Sequence, residues 1–200
     1  MPPIRTPYRG PDVRRVLLTL VAMLLTGCTT GSDAVDVSNG GEFRFVAGTP
    51  GGEVIDEGDR ASAPQFIGVL LDGSDFDSSS LSGDIVVLNF WGSWCAPCRL
   101  ETPEFQEVYD EVSADGVSFL GINVKDDRQL ARAFLDDKGI TYQSVFDPRG
   151  EVALAFSDYP ANAIPSTIVL DRDGRVAAVY VAAVAGEELR QVLDTLLAQS

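Results

Sequence analysis

Histidine is absent from the 200 residues, and that gap removes Cys-His nucleophile pairs, Ser-His-Asp triads and every zinc site that draws on imidazole. Cysteine is nearly as scarce. Three thiols fall one short of a four-thiolate zinc site, so no metal centre is expected. Fifteen basic residues face thirty acidic ones, a formal net charge of −15. That balance argues against nucleic acid as a partner, because phosphate binding draws its affinity from clustered Lys and Arg. The apolar run that follows Arg14 and Arg15, VLLTLVAMLL, is too short to stay in a bilayer as a mature span. What is present is a 45% hydrophobic fraction with few aromatics, the composition of one globular α/β domain with extensions.

That short run, preceded by Arg5, Arg9, Arg14 and Arg15, has the charge and length of a secretory signal. It ends in LTGC, Leu25 to Cys28, which resembles a bacterial lipobox: cleavage would leave Cys28 first and lipidated, which accounts for the odd thiol. Residues 1–27 are therefore read as a lipoprotein signal peptide. Residues 28–62, rich in Gly, Ser, Asp and Pro with only EFRFV alternating like a strand, are read as a flexible tether. Residues 63–200 are read as the folded domain.

Within it, QFIGVLL, the Asp72-Gly73 turn and DFD predict a β-hairpin. DIVVLNFW at 84–91 is the apolar run of a strand buried on both faces, and VSFLGIN at 117–123 is a second. Helices are predicted at 96–113, 126–139, 150–156 and 186–198, the second closed by Gly139. STIVLDRDGRVAAVYV reads as an antiparallel hairpin turning at Asp173-Gly174. A βαβ unit followed by a hairpin implies a mixed sheet with helices on its faces.

Between the first buried strand and the first long helix stands WCAPC. The unpaired N–H groups and positive end of a helix favour thiolate over thiol, which suits Cys95 to nucleophilic attack. Pro97 belongs where a first helical turn needs no donor. Cys98, Glu101, Phe105, Val108 and Val112 recur at steps of three and four, so they share one core-facing stripe. Cys98 should accordingly be the less accessible, resolving thiol. Glu101, on that stripe, is either desolvated with a raised pKa, able to exchange protons with Cys98, or solvent-facing and paired with a cation such as Arg99. The spacing leaves both open. A purely structural disulfide is the bland reading of the pair, but so short a loop adds little chain-entropy stabilisation.

Taken together, VVLNFWGSWCAPCRLETPEF, the upstream APQF and LDG, and the downstream IPSTIVLDRDGRV resemble the membrane-anchored thioredoxin-like proteins of the TlpA, ResA and CcmG type, from Ala63 to Ser200. The resemblance implies an α/β thioredoxin-like fold with an N-terminal β-hairpin extension. It implies an extracytoplasmic thiol-disulfide oxidoreductase at the outer face of the cell membrane. Such an enzyme acts as a reductase of exported protein disulfides, among them apocytochrome c, and takes electrons from a membrane thiol carrier. No cofactor beyond the redox-active Cys95–Cys98 pair is implied. Glu101 occupies the family's acidic position, Asn89 replaces the buried aspartate of classical thioredoxins, and Pro165 occupies the place of a cis-proline facing the cysteines. Ile164 would then present its backbone to an extended substrate segment, with Trp94 and Pro97 at the same surface and Trp91 in the core. SDYPAN, before Ile164, departs from the pattern near the partner-selecting groove.

Three rival readings share parts of this pattern. A peroxidase of the peroxiredoxin class would want a P-x-x-x-[ST]-x-x-C loop, which FWGSWCAPC lacks. A disulfide-forming oxidase would depress the attacking thiol further, often with a histidine inside the motif, whereas Ala96-Pro97 adds no positive charge. A binding lipoprotein or haem-handling chaperone would have no use for an intact cysteine pair with an acidic companion.

Overall fold

The computed structural model describes residues 54–159 and 161–199. In chain order the elements are β1 (Ile67–Val69), β2 (Asp75–Asp77), β3 (Ile85–Trp91), α1 (Cys98–Val112), β4 (Val117–Val124), α2 (Arg128–Lys138), β5 (Ser144–Asp147), α3 (Glu151–Ala155), β6 (Ser166–Leu170), β7 (Val176–Tyr180) and α4 (Gly186–Ala198). The main sheet runs β5-β4-β3-β6-β7. β3, β4 and β5 are parallel, β6 is antiparallel to β3, and β7 is antiparallel to β6.

All seven residues of β3 are buried, which requires cover on both faces. Ile85 and Val87 pack with Phe105, Val108 and Val112 of α1 and with Leu189, Val192 and Leu193 of α4. Val86, Leu88 and Phe90 pack with Val152 and Phe156 near α3 and with Leu70 and Phe76 of the hairpin. β1 and β2 form the predicted hairpin extension. It joins the main sheet through the Leu70–Val145 bridge and the Leu71 N–H to the Ser144 carbonyl. This is a thioredoxin-like α/β arrangement, as the family resemblance implied.

The two long helices each start two residues later than the sequence expectation. The first long helix begins at Cys98 with Pro97 as its N-cap residue, so Pro97 precedes the helix, and Cys95 supplies the first carbonyl, accepting from the Arg99 N–H at 3.2 Å. The second helix begins at Arg128 because the Asp127 carboxylate caps it, accepting from the Gln129 and Leu130 N–H groups. Gly139 ends it in the left-handed conformation, φ 66°, as predicted.

Val54–Ser62, polar and without periodicity, reads as the end of a tether but is fastened to the domain. The Ile55 N–H donates to the Ala177 carbonyl, the Val176 N–H donates to the Ala61 carbonyl, and Ser62 bridges to Arg175. Arg60 has a buried side chain that meets Asp171 at 3.1 Å and donates to the Ile55 carbonyl and the Gln199 side chain. Asp171 keeps a second cation, Arg175, so an Arg60→Met protein should lose about 2 kcal/mol in denaturant unfolding rather than the larger cost of an orphaned buried charge. The signal segment, Cys28, EFRFV and the rest of the expected tether lie outside the described residues.

Candidate functional site

Parallel strands bring their C-terminal ends to one side of the sheet, and that side gathers the chemistry. Cys95 follows β3. Asp126 follows β4. Because β6 runs against β3, its beginning, Ile164-Pro165, reaches the same end. The Ile164-Pro165 peptide bond is cis, as the resemblance implied. Ile164 packs on a cluster made of Cys95, Cys98, Trp91, Leu71, Ala131 and Phe134.

Cys95 and Cys98 are joined in a disulfide, with Cα atoms 5.3 Å apart. The Cys98 side is fully enclosed, at 0% exposure, while Cys95 retains 3%. The order of accessibility matches the helical stripe, although Cys95 is itself largely covered. The Cys98 N–H donates to Cys95 Sγ at 3.2 Å. That donor is one of the unsatisfied amides at the start of α1, and it would stabilise a negative sulfur at Cys95. Ala96 and Pro97 are exposed, Leu100 is 76% exposed and Trp94 is 55% exposed. Exposed apolar side chains therefore flank Cys95 along the chain, on the turn before α1 and in its first turn. Gly92 makes room for Trp94: a Cβ there would lie 2.6 Å from the indole nitrogen. Trp94 Nε1 then donates to the Val124 carbonyl at 3.4 Å. Trp91 is core, its Nε1 donating to Ser144 Oγ at 2.9 Å.

Glu101 is buried, not paired with Arg99, which settles the choice the spacing left open. Its Oε2 accepts from Asn89 Nδ2 at 3.1 Å and its Oε1 from the Val184 N–H at 2.9 Å. Asn89 also donates to Thr167 Oγ1 at 3.2 Å. These residues meet because Asn89 and Thr167 are register partners in β3 and β6, on the face that α1 covers. Burial pushes the Glu101 carboxyl up to about 7; the Val184 and Asn89 hydrogen bonds pull it back, and the Glu104 charge adds to the rise. The group therefore changes charge near neutrality, one helical turn from Cys98.

Glu104, the next turn along, accepts from the Gly186 N–H at 2.8 Å, so two glutamates of α1 hold the β7–α4 connection. The Val184 contact carries no sequence signal, because a backbone amide is supplied by every residue but proline. Asp126 was legible only as part of a helix. It instead accepts from Ser93, both N–H and hydroxyl, at 2.6 and 2.8 Å. The signal was the doubled aspartate: one caps α2, leaving the other free for a second task.

Comparison with known proteins agrees with this geometry. The model of the AhpC/TSA family matches residues 60–179. The thiol-disulfide oxidoreductase ResA of Geobacillus thermodenitrificans (strain NG80-2) is 30% identical over 136 residues, 68% of this chain and 76% of that protein. A DsbF homologue from Corynebacterium diphtheriae superposes with a TM-score of 0.68 at 40% identity, covering 74% of this chain and 96% of that one. A secreted thiol-disulfide isomerase from Corynebacterium glutamicum gives a TM-score of 0.69 at 38% identity, covering 72% and 90%. With the cysteine pair at the head of α1 and the cis-proline at the head of β6, the chain belongs to the AhpC/TSA family and is a thioredoxin-like thiol-disulfide oxidoreductase.

Proposed function

We propose that the protein is a reductase of exported protein disulfides, working at the outer face of the cell membrane and anchored there by a lipid on Cys28 after removal of residues 1–27. The observation that carries the catalytic part is the graded enclosure of the pair over a buried acid: Cys95 at the rim, Cys98 sealed behind it, Glu101 one turn further along. In the dithiol form the Cys95 thiolate attacks one sulfur of the client disulfide, and the other client sulfur leaves as a thiolate. Cys98 then gives its proton to the Glu101 carboxylate and attacks Cys95 Sγ. The second client sulfur departs, and two electrons have passed from the pair to the client. No other cofactor takes part. A membrane thiol carrier returns the electrons.

Trp94, Pro97 and Leu100 offer an apolar approach, and the Ile164 backbone offers strand pairing to an extended segment. The sequence resemblance points to the haem-binding cysteines of apocytochrome c as the client. The test is to supply the full-length dithiol protein with oxidised apocytochrome c, with a generic protein disulfide and with hydrogen peroxide. Reduction of the apocytochrome disulfide is expected to be fastest. Faster consumption of peroxide would replace the proposed activity with that of a peroxidase, and faster oxidation of client dithiols by the disulfide form would reverse the direction.

A further inference from the structure

The turn that carries Cys95 is held from outside its own helix. Asp126, in the β4–α2 connection, binds the Ser93 N–H and hydroxyl, and its carboxylate also accepts from Asn123 Nδ2 at 2.9 Å and the Asp127 N–H at 2.8 Å. Four donors on one carboxylate fix its place. Lys125, just before it, has φ 52° and is the only non-glycine residue at positive φ among the described residues. That is a backbone conformation an L side chain rarely adopts, and the two aspartates that follow serve different partners, Ser93 and α2. Arg99 Nη1 reaches the Ser93 carbonyl at 3.4 Å from the other side.

We propose that Asp126 is a positioning residue that biases the Cys95–Cys98 pair toward the disulfide and so makes its dithiol form the stronger reductant. The proposal rests on the exchange reading of the pair given above. Two effects act with the same sign. Anchoring Ser93, two residues before Cys95, keeps the two sulfurs close enough to join and raises their effective concentration for ring closure. A fixed negative charge beside the turn also disfavours the thiolate that reduction would place on Cys95. The Cys98 N–H contact lies within the C-x-x-C turn itself and does not depend on the anchor. Arg99, a cation on the same turn, works in the opposite direction.

The test is equilibration with glutathione at fixed pH, using the full chain carrying Cys28→Ser so that one thiol pair titrates. Two glutathione thiols deliver two electrons and two protons to the disulfide, giving Cys95 and Cys98 thiols and one glutathione disulfide. The fraction reduced is read by alkylation and mass spectrometry. Asp126→Asn should raise the dithiol-to-disulfide constant about tenfold, a shift of about 30 mV toward a weaker reductant. Ser93→Ala, which keeps the charge and the amide contact, should move it the same way by about threefold, and Arg99→Met should move it the other way. A constant within twofold of wild type for Asp126→Asn, with only thermal stability lowered, would reduce Asp126 to a structural residue and overturn the proposal. A wild-type pair that does not exchange with glutathione at all would instead remove the exchange reading, and the proposal with it.

Discussion

A Cys98→Ala protein should stop turning over and accumulate mixed disulfides through Cys95, while a Cys95→Ala protein should form none. The asymmetry follows from enclosure. Cys98, the first residue of α1, is at 0% exposure and packs in one cluster with Trp91, Phe134 and Ile164, so no client sulfur reaches it without opening the core. Cys95 shows only 3% of its surface, but its chain neighbours Trp94 and Ala96 are exposed, and thiol–disulfide exchange needs access from a single direction along the sulfur–sulfur axis. In the wild type the mixed disulfide should be short-lived, because Cys98 lies three residues from Cys95, close enough to join it, and attacks at high effective concentration. Alanine at position 98 removes that exit and leaves every other contact of the rim in place. Non-reducing gels of cells expressing the full-length Cys98→Ala chain should show adducts that collapse with dithiothreitol, and mass spectrometry of those adducts names the clients. Adducts formed equally by Cys95→Ala would show that Cys98 is reachable and would cancel the assignment of roles.

The parts of this site that could be read from the sequence are those fixed by local periodicity. A helix of 3.6 residues per turn leaves no freedom over which face Cys98 and Glu101 share with Phe105 and Val112, and those residues are buried as that face requires. The mixed sheet followed from apolar runs and turn residues in the same way. What the sequence could not express was the work done by tertiary partners. Val184 reaches Glu101 across 83 positions through a backbone amide, and Asp126 reaches Ser93 across 33. Val54–Ser62 shows no pattern because its order comes from the β7 edge and one buried arginine. Asn89 is the instructive case. Its identity says only that it does not titrate; its position in the register opposite Thr167 makes it the direct partner of Glu101. An amide there leaves Glu101 to titrate alone, where a second carboxyl would have shared a proton with it.

Because Glu101 shares its proton with no second buried carboxyl, that proton has a measurable signature in both stability and rate. The carboxyl sits at about 7 in the folded protein against an ordinary value of 4.5. Below pH 4.5 both states hold the proton and Glu101 contributes no pH dependence. Between 4.5 and 7 the unfolded chain has released it while the folded protein keeps it, so the native state binds more protons and unfolding free energy falls as pH rises. Above 7 both are ionised and the loss is complete, about 3 kcal/mol from this residue. Comparing wild type with Glu101→Gln in denaturant at pH 4 and pH 8 isolates that term, since every other titrating group is common to both. The glutamine also alters the contacts with Asn89 and Val184, but that penalty is the same at both pH values and cancels. The rate should move in the opposite sense. In the proposed cycle ionised Glu101 takes the Cys98 proton, so release of the mixed disulfide should accelerate through pH 7 in the wild type. In Glu101→Gln it should be slower by about 100-fold at pH 8 and lose the inflection near 7, following the cysteine alone. A variant that kept the wild-type rate profile while showing the altered stability profile would leave Glu101 a buried acid with no part in the exchange.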